Sequence, residues 1–322
     1  MSLFLGVDGG GSKTAFVLLD DGGHIVAEAQ TASCYYFDDD GIELVGRILT
    51  EGVAAVTSRA GVEASDIDQS FLGLPGYGEV SSDLDRLNAI PGEVLGHDRY
   101  SCDNDMVCGW AGSLGAVDGI NVISGTGSMT YGERRGRGHR VGGWSELFGD
   151  EGSAYWIAAR GLNAFTRMSD GRLSRGPLYD LMKARVGITS DLDVIDVVVN
   201  EWKGQRARIA DLAKTVVAAA EQGDEVAARI LADASEELAE IVEATRVELG
   251  FGEDEVVPVS YSGGVFSAEP VRTGFERAVA ALPARYDLRT PLFGPAVGAA
   301  LYAAKRAGAP LSPAALEALR AR

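Results

Sequence analysis

The amino-acid sequence predicts an α/β fold of two domains that are built on one plan. An apolar strand that starts near residue 3 leads into a glycine-rich turn at residues 8–14, and a second strand follows. The same order of strand, glycine turn and strand returns at residues 123–128. The chain has 322 residues, which is enough for two domains of roughly 100–200 residues each. The chain length and the repeated order of strand, glycine turn and strand together indicate two related halves.

The first glycine turn differs from the two best-known nucleotide motifs. It is not a P-loop, because Ser12 stands where that motif requires its last glycine. It is not a dinucleotide fingerprint either, because Thr14 takes the place of the third glycine and a strand follows instead of a helix. Gly9, Gly10 and Gly11 still allow close approach of the backbone to an anion, and the N–H groups of such a turn can cradle a phosphate. An ordinary glycine hairpin is the alternative for this turn taken alone.

Two further glycine turns follow predicted strands later in the chain. The second contains Gly125, Thr126 and Gly127, and the third contains Gly263 and Gly264. Because two such turns can each cradle phosphate groups, the pair of turns at residues 8–14 and 123–128 indicates a nucleotide held between two halves of the protein.

The predicted elements alternate in the first third of the chain and become mostly helical in the middle. The first third reads as β-β-β-α-β-α-β-α, with helices at residues 41–61 and 105–114 and with Asn104 as the N-cap of the second. A mostly helical stretch covers about residues 150–250, and helices near residues 294–307 and 312–321 end the chain. The predicted strands cover residues 15–19, 24–30, 70–75, 100–103, 119–124, 129–133, 139–143 and, as the last strand, 256–261.

The predicted domain limits follow from this order of elements. The N-terminal domain covers residues 1–115 and is joined by the C-terminal helix at residues 308–322. The C-terminal domain covers residues 116–307 and includes the helical stretch as an insertion.

Composition narrows the possible partners. The net charge of −18 argues against nucleic acid or an anionic membrane as a partner, but not against a nucleotide, because a local N–H cradle and a bound Mg²⁺ can reverse the local field. No apolar run has the length of a membrane span and no signal peptide is visible. Three cysteines without a C-x-x-C pair fit a reducing compartment, so we expect a cytoplasmic protein.

Carboxylates near the strand ends are the candidate catalytic and metal-binding groups. Asp105 stands between a strand and a helix, where a carboxylate can accept a proton from an attacking hydroxyl. Asp103 is an equal rival by position alone, and helix capping is the structural alternative for Asp105. Asp8 precedes the first turn and could hold Mg²⁺, through water, beside bound phosphates.

A loop at residues 142–153 combines aromatic, acidic and small residues. Trp144 and Phe148 offer flat apolar faces, and carboxylates such as Asp150 can grip hydroxyl groups. This composition predicts a sugar site, with an acidic helix N-terminus as the alternative. The aromatic stretch at Tyr35 could line the entrance of the site, whereas the basic run at residues 134–140 is expected to be a solvated hairpin.

The motifs together resemble the sugar kinase, Hsp70 and actin ATPase superfamily, and within it the BadF/BadG/BcrA/BcrD-type group that includes N-acetylglucosamine kinase. Residues 8–14 and 124–128 are similar to its two phosphate motifs, and residues 149–156 are similar to its amino-sugar kinase signature. Residues 262–265 fall where its adenosine motif is expected. The matches run in the right order over about residues 5–300.

The resemblance implies a fold and a set of roles. The fold would be two ribonuclease H-like (actin-like ATPase) domains around a central cleft, in a homodimer that binds ATP, Mg²⁺ and an amino sugar. Asp105, and not Asp103, would be the catalytic residue, and Asp8 would be the metal residue. The candidate nucleotide contacts are Gly9, Gly10, Gly11, Ser12, Lys13, Thr14, Gly125, Thr126, Gly127, Gly263 and Gly264. The candidate sugar contacts are Tyr35, Asn104, Asp105, Ser128, Gly143, Trp144 and Asp150.

One departure from the family pattern affects the choice of sugar. The kinases present an Asn to the sugar from a Ser-x-Asn segment, whereas here Tyr35 stands in its place after Ser33. A phenol lacks the paired donor and acceptor of a carboxamide. The resemblance implies phosphorylation of N-acetylglucosamine to its 6-phosphate, and Tyr35 leaves glucosamine kinase open as the alternative. Two further alternatives are a dehydratase-activating ATPase and a sugar-sensing regulator. The first would need cysteines for an iron–sulfur cluster, and the second would bind sugar without turnover.

Overall fold

The computed structural model describes residues 2–37 and 41–321. The chain divides into two compact units, of which the first consists of Met1–Asp118 with Thr290–Arg322 and the second of Gly119–Arg289. Over the described residues, each unit contains one mixed sheet of five strands. In the same part of the chain, no helix is long and apolar enough to cross a membrane.

The first unit contains five strands and the helices that flank them. Its strands are β1 (Leu3–Gly9), β2 (Lys13–Asp20), β3 (Ile25–Ala32), β4 (Gln69–Leu74) and β5 (Tyr100–Asn104). Three helices of this unit are α1 (Glu43–Ala60), α2 (Leu84–Leu95) and α3 (Met106–Leu114).

The second unit begins with three strands, continues with a long helical segment and ends with two more strands. Its strands are β6 (Gly119–Ser124), β7 (Ser128–Arg134), β8 (Arg137–Gly142), β9 (Val256–Ser262) and β10 (Arg285–Arg289). Its helices are α4 (Ala154–Ser169), α5 (Pro177–Val186), α6 (Asp193–Ile195) with a π-helical turn (Asp196–Glu201), α7 (Arg206–Asp211), α8 (Ala213–Glu221), α9 (Glu225–Leu249) and α10 (Glu269–Ala280). The chain ends with α11 (Pro295–Arg306) and α12 (Pro313–Arg320), which belong to the first unit.

The two sheets have the same topology. In the first, the strand order is β3-β2-β1-β4-β5, with antiparallel β1–β2 and β2–β3 pairs and parallel β1–β4 and β4–β5 pairs. In the second, the order β8-β7-β6-β9-β10 repeats this pattern of pairs. The prediction of two α/β halves built on one plan is therefore confirmed. The first two glycine turns occupy equivalent places, between β1 and β2 and between β6 and β7.

Two sequence predictions differ from this fold. β9 is not the last strand, because the short segment Arg285–Arg289 pairs with it in parallel as β10. That segment alternates charged and apolar residues and has only five of them, so its pattern is weak.

The chain also returns to the first unit at Thr290, earlier than the predicted point near Gly308. The reason is the packing of α11 against α3 and β1. A Cβ atom at Gly298 would lie 2.1 Å from the amide nitrogen of Gly112, and one at Gly6 would lie 2.2 Å from that of Ala300. Glycines let these backbones touch, and such contacts leave no periodic signal in the sequence.

Candidate functional site

The first glycine turn is a tight connection whose middle residues face solvent. Gly9 pairs with Thr14 across the β1–β2 ladder, and the amide of Gly10 donates a hydrogen bond of 2.9 Å to the carbonyl oxygen of Lys13. Gly11, Ser12 and Lys13 are exposed, as an anion-binding turn requires. Thr14 differs from the sequence expectation. Its side chain is buried, and its hydroxyl oxygen accepts a hydrogen bond of 3.1 Å from the amide of Cys34.

Two carboxylates lie close together at the ends of the first unit's parallel strands. Asp8 is on β1, and Asp105 directly precedes α3. Burial raises the pKa of Asp8 to about 6, and Lys13 partly offsets this effect. Burial, and then the charge of Asp8, raise the pKa of Asp105 to about 7. Near neutral pH, Asp105 can therefore exchange a proton, which suits a general base.

The neighbours of Asp105 have internal partners. Asp103 lies on β5 and accepts a hydrogen bond of 2.7 Å from the amide of Asn104. The buried side chain of Asn104 donates to the carbonyl oxygen of Tyr77 at 3.2 Å and accepts from the amide of Met106 at 3.2 Å. The N-cap position of α3 is Asp105, one residue after the predicted Asn104, and no side chain makes a capping hydrogen bond there. Asn104, which we expected to contact the sugar, uses both ends of its carboxamide within the protein.

Tyr35 lies on a loop that is bonded to the first glycine turn. Ser33 donates a hydrogen bond of 2.8 Å from its hydroxyl to the carbonyl oxygen of Gly10, and its oxygen accepts one of 3.0 Å from the amide of Tyr35. The exposed ring of Tyr35 stands edge-on to Phe37, with 5.3 Å between the ring centroids. The backbone thus fixes the position of Tyr35 relative to the turn.

In the second unit, the second and third glycine turns line one cavity of about 680 Å³. Gly125, Thr126 and Gly264 are among the residues that line it. Gly263 has a φ of 102°, and a Cβ there would lie 2.2 Å from the carbonyl oxygen of Ser124, so only glycine fits where the two turns meet. Residues from three distant parts of the sequence are thus brought together as a nucleotide-sized site.

The loop between β8 and α4 carries the other predicted sugar contacts. Ser128 is buried and donates a hydrogen bond of 2.5 Å to the carbonyl oxygen of Glu151, so its hydroxyl holds the end of this loop. Gly143 has a φ of 73°, which favours glycine. Trp144 is 63% exposed, and the guanidinium of Arg140 lies 5.3 Å from its ring centroid. Arg140 belongs to the basic run that we expected to be a solvated hairpin.

Asp150 has a charged partner that sequence reasoning missed. Its buried carboxylate forms an ion pair with Arg206 at the start of α7. Burial raises the pKa of Asp150, whereas the positive charge of Arg206 acts in the opposite direction. Arg206 lies in the helical stretch, where only apolar periodicity was visible, and no local motif marks it.

Burial affects all three cysteine thiols in the same direction. Burial raises the pKa of Cys34 to about 11 and that of Cys102 to about 12, and it also raises the pKa of Cys108 well above its usual value. All three are free thiols. Over residues 2–37 and 41–321, no group of three or more His, Cys, Asp or Glu side chains is arranged to hold a metal ion.

Comparisons with known proteins place the sequence in one family and find two kinases among its relatives. The model of the BadF/BadG/BcrA/BcrD ATPase family matches residues 5–303. The chain is 29% identical over 274 residues to an N-acetyl-D-glucosamine kinase of Dictyostelium discoideum, and the alignment covers 81% of this chain and 85% of that protein. It is 29% identical over 277 residues to an N-acetylmuramic acid/N-acetylglucosamine kinase of Clostridium acetobutylicum, and this alignment covers 83% of this chain and 86% of that protein.

A solved structure has a similar fold over almost the whole chain. It is a protein of Chromobacterium violaceum with the provisional name N-acetylglucosamine kinase, and it aligns with a TM-score of 0.67 at 27% identity. The alignment covers 94% of this chain and 98% of that one. The similarity therefore extends over both units and is not limited to the glycine turns.

Proposed function

The chain belongs to the BadF/BadG/BcrA/BcrD ATPase family, and from that premise we propose that it is an ATP-dependent kinase that phosphorylates N-acetylglucosamine on its 6-hydroxyl group. The single observation that carries the reaction is the partly buried carboxylate of Asp105, which lies beside Asp8 at the start of α3 and whose pKa is raised to about 7. A carboxylate with this pKa can orient the sugar hydroxyl and accept its proton as the phosphoryl group is transferred.

The glycine turns would bind the nucleotide. The exposed backbone at Gly11 and Ser12, and the turn at Gly125 and Thr126, present N–H groups of the kind that contact phosphate oxygens. The cavity beside Gly264 is large enough for the rest of ATP. Positioning and charge neutralisation by such groups account for most of the catalysis in phosphoryl transfer.

Mg²⁺ fits the residues around Asp8. Two partly buried carboxylates, Asp8 and Asp105, repel each other, and a cation beside Asp8 would relieve this repulsion. Mg²⁺ usually keeps several waters and binds through one or two carboxylates plus substrate phosphates, which agrees with a site that has few protein ligands. When bound, Mg²⁺ would neutralise charge on the transferring phosphoryl group.

The choice of sugar depends on the loop of Trp144 and Asp150. An exposed indole and a buried carboxylate on one loop suit a sugar ring with hydroxyl groups on its edge. The two kinases at 29% identity are named for N-acetylglucosamine, which supports that substrate. Tyr35 in the place of the family's Asn keeps glucosamine as the second candidate.

The oligomeric state and the cellular compartment of the enzyme are further parts of the proposal. The family resemblance supports a homodimer, which light scattering after size-exclusion chromatography would measure. Three free cysteines support a reducing, cytoplasmic compartment. Because these thiols are largely buried and their pKa values are raised, they favour a kinase over a cluster-bearing dehydratase activator.

The test is ADP release from Mg-ATP with N-acetylglucosamine, glucosamine, N-acetylmannosamine and glucose as acceptors. We expect strong release with N-acetylglucosamine, and its loss in Asp105→Asn with sugar binding retained. Asp103→Asn is the matched control, because Asp103 is two residues away on β5. Basal release with every sugar would contradict the proposed activity, and preference for glucosamine would replace the substrate but leave the reaction intact.

A further inference from the structure

Arg206 lies among three features that the sequence keeps far apart. Its guanidinium pairs with the carboxylate of Asp150, and its Nε lies 3.2 Å from Oε2 of Glu146. Its Nη2 also lies 2.4 Å from the point that a Cβ at Gly127 would occupy, so the guanidinium covers the second glycine turn. All of these residues belong to the second unit. One cation thus lies against both the loop at residues 142–153, which we call the sugar loop, and the second glycine turn.

The loop segment between the two carboxylates gains little from side-chain burial. Leu147 and Phe148 at its tip are 80% and 75% exposed, so burial of these side chains contributes little. Ser145 has a φ of 80° and Asp150 a φ of 57°, values that non-glycine residues adopt only at an energetic cost. Such conformations persist only where neighbouring contacts enforce them, and Arg206 contacts both ends of this segment through Glu146 and Asp150.

We propose that Arg206 is a positioning residue that anchors the sugar loop through Glu146 and Asp150 and so determines the affinity for the sugar. This inference rests on the proposed function, because it takes Asp150 as a contact of the sugar. Arg206 itself acts through the two carboxylates.

The charges around Asp150 give the proposal a pH signature. The groups that act on this carboxylate are Arg206, Glu146, Glu151 and the backbone amide of Ser128. Arg206 is the cation of this set, and without it a buried carboxylate would remain beside two other acids. Protonation of Asp150 on acidification would then occur at a higher pH, and sugar binding would weaken at a higher pH than in the wild type.

The experiment compares Arg206→Gln, Arg206→Lys and the control Arg208→Gln, which changes an exposed arginine of the same helix. We expect Arg206→Gln to raise the KM for the sugar about tenfold or more, with the KM for ATP changed less than about threefold. The lysine variant should recover part of the loss, because it keeps the charge but not the planar fork. The loss of sugar affinity on acidification should occur at a higher pH in Arg206→Gln than in the wild type, and it should not shift in the other two variants.

A second readout does not depend on activity. Chymotrypsin cleaves after residues such as Leu147 and Phe148, and we expect cleavage at these two sites to be several-fold faster in Arg206→Gln than in Arg208→Gln. Equal cleavage of the two variants overturns the proposal, and so does an equal KM for the sugar. If the wild-type protein phosphorylates no sugar, the proposed function fails, and the cleavage rates still decide whether Arg206 anchors the loop.

Discussion

Ser33 donates a hydrogen bond of 2.8 Å to the carbonyl oxygen of Gly10, and this contact joins the loop of Tyr35 to the first glycine turn. The hydroxyl oxygen also accepts the amide hydrogen of Tyr35 at 3.0 Å. One side chain therefore connects the turn proposed to bind phosphate with a residue proposed to contact the sugar.

Ser33→Ala removes both hydrogen bonds. Each bond contributes about 0.5–1.5 kcal/mol, so we expect the free energy of unfolding to fall by about 1–3 kcal/mol and the KM values for ATP and sugar both to rise. Urea denaturation and steady-state kinetics would measure these changes. Ser33→Thr keeps the hydroxyl and is the control, and unchanged KM values in the alanine variant would show that the contact has no role in the site.

Activity should depend on the protonation of Asp105. A general base must be ionised, so kcat/KM for the sugar should fall as the pH drops through the pKa of this carboxyl, which burial and the charge of Asp8 raise to about 7. A cation beside Asp8 would favour the ionised form, so the midpoint should lie at or below this value. Rate profiles from pH 5 to pH 9 would test this, and a rate constant that is flat down to pH 5 would contradict the assignment.

Two alanine substitutions in the second turn should have opposite outcomes. A Cβ at Gly127 would lie 2.4 Å from Nη2 of Arg206 and 2.6 Å from Oδ2 of Asp150, whereas one at Gly125 has no atom within 4 Å. We expect Gly127→Ala to displace the arginine and weaken sugar binding about tenfold, and Gly125→Ala to leave sugar binding and thermal stability unchanged. Calorimetric titration with sugar in the absence of ATP separates these outcomes, and equal sugar affinities would argue against the close packing.

Trp144→Ala should affect the sugar without affecting the fold. The indole is 63% exposed, so its removal should leave the melting temperature unchanged. An aromatic contact contributes about 0.5–1.5 kcal/mol, which corresponds to a KM for the sugar about two- to tenfold higher with kcat little changed. Leu147→Ala, at a position that is 80% exposed, is the control. Equal kinetics of the two variants would remove Trp144 from the site.

The sequence by itself determined the plan of the fold and the chemistry of its turns. Glycine turns between strands are local signals, since the glycine clusters at residues 9–11 and 125–127 are visible in the sequence without knowledge of distant contacts. Alternating and helical apolar patterns likewise placed most elements, because each reflects one buried face. The order of the motifs was sufficient to predict the family.

The tertiary structure decided which side chains are free to meet a ligand. Thr14 and Asn104 stay predicted contacts, but each also makes internal hydrogen bonds that only the folded chain shows. Arg206 had no signal at all, because its partner Asp150 is far away in the sequence and ion pairs between distant residues leave no local pattern. The return of the chain at Thr290 depends on glycine contacts between α3 and α11. Burial and long-range pairing arise only when the chain is folded, and for that physical reason the sequence could predict the motifs but not their partners.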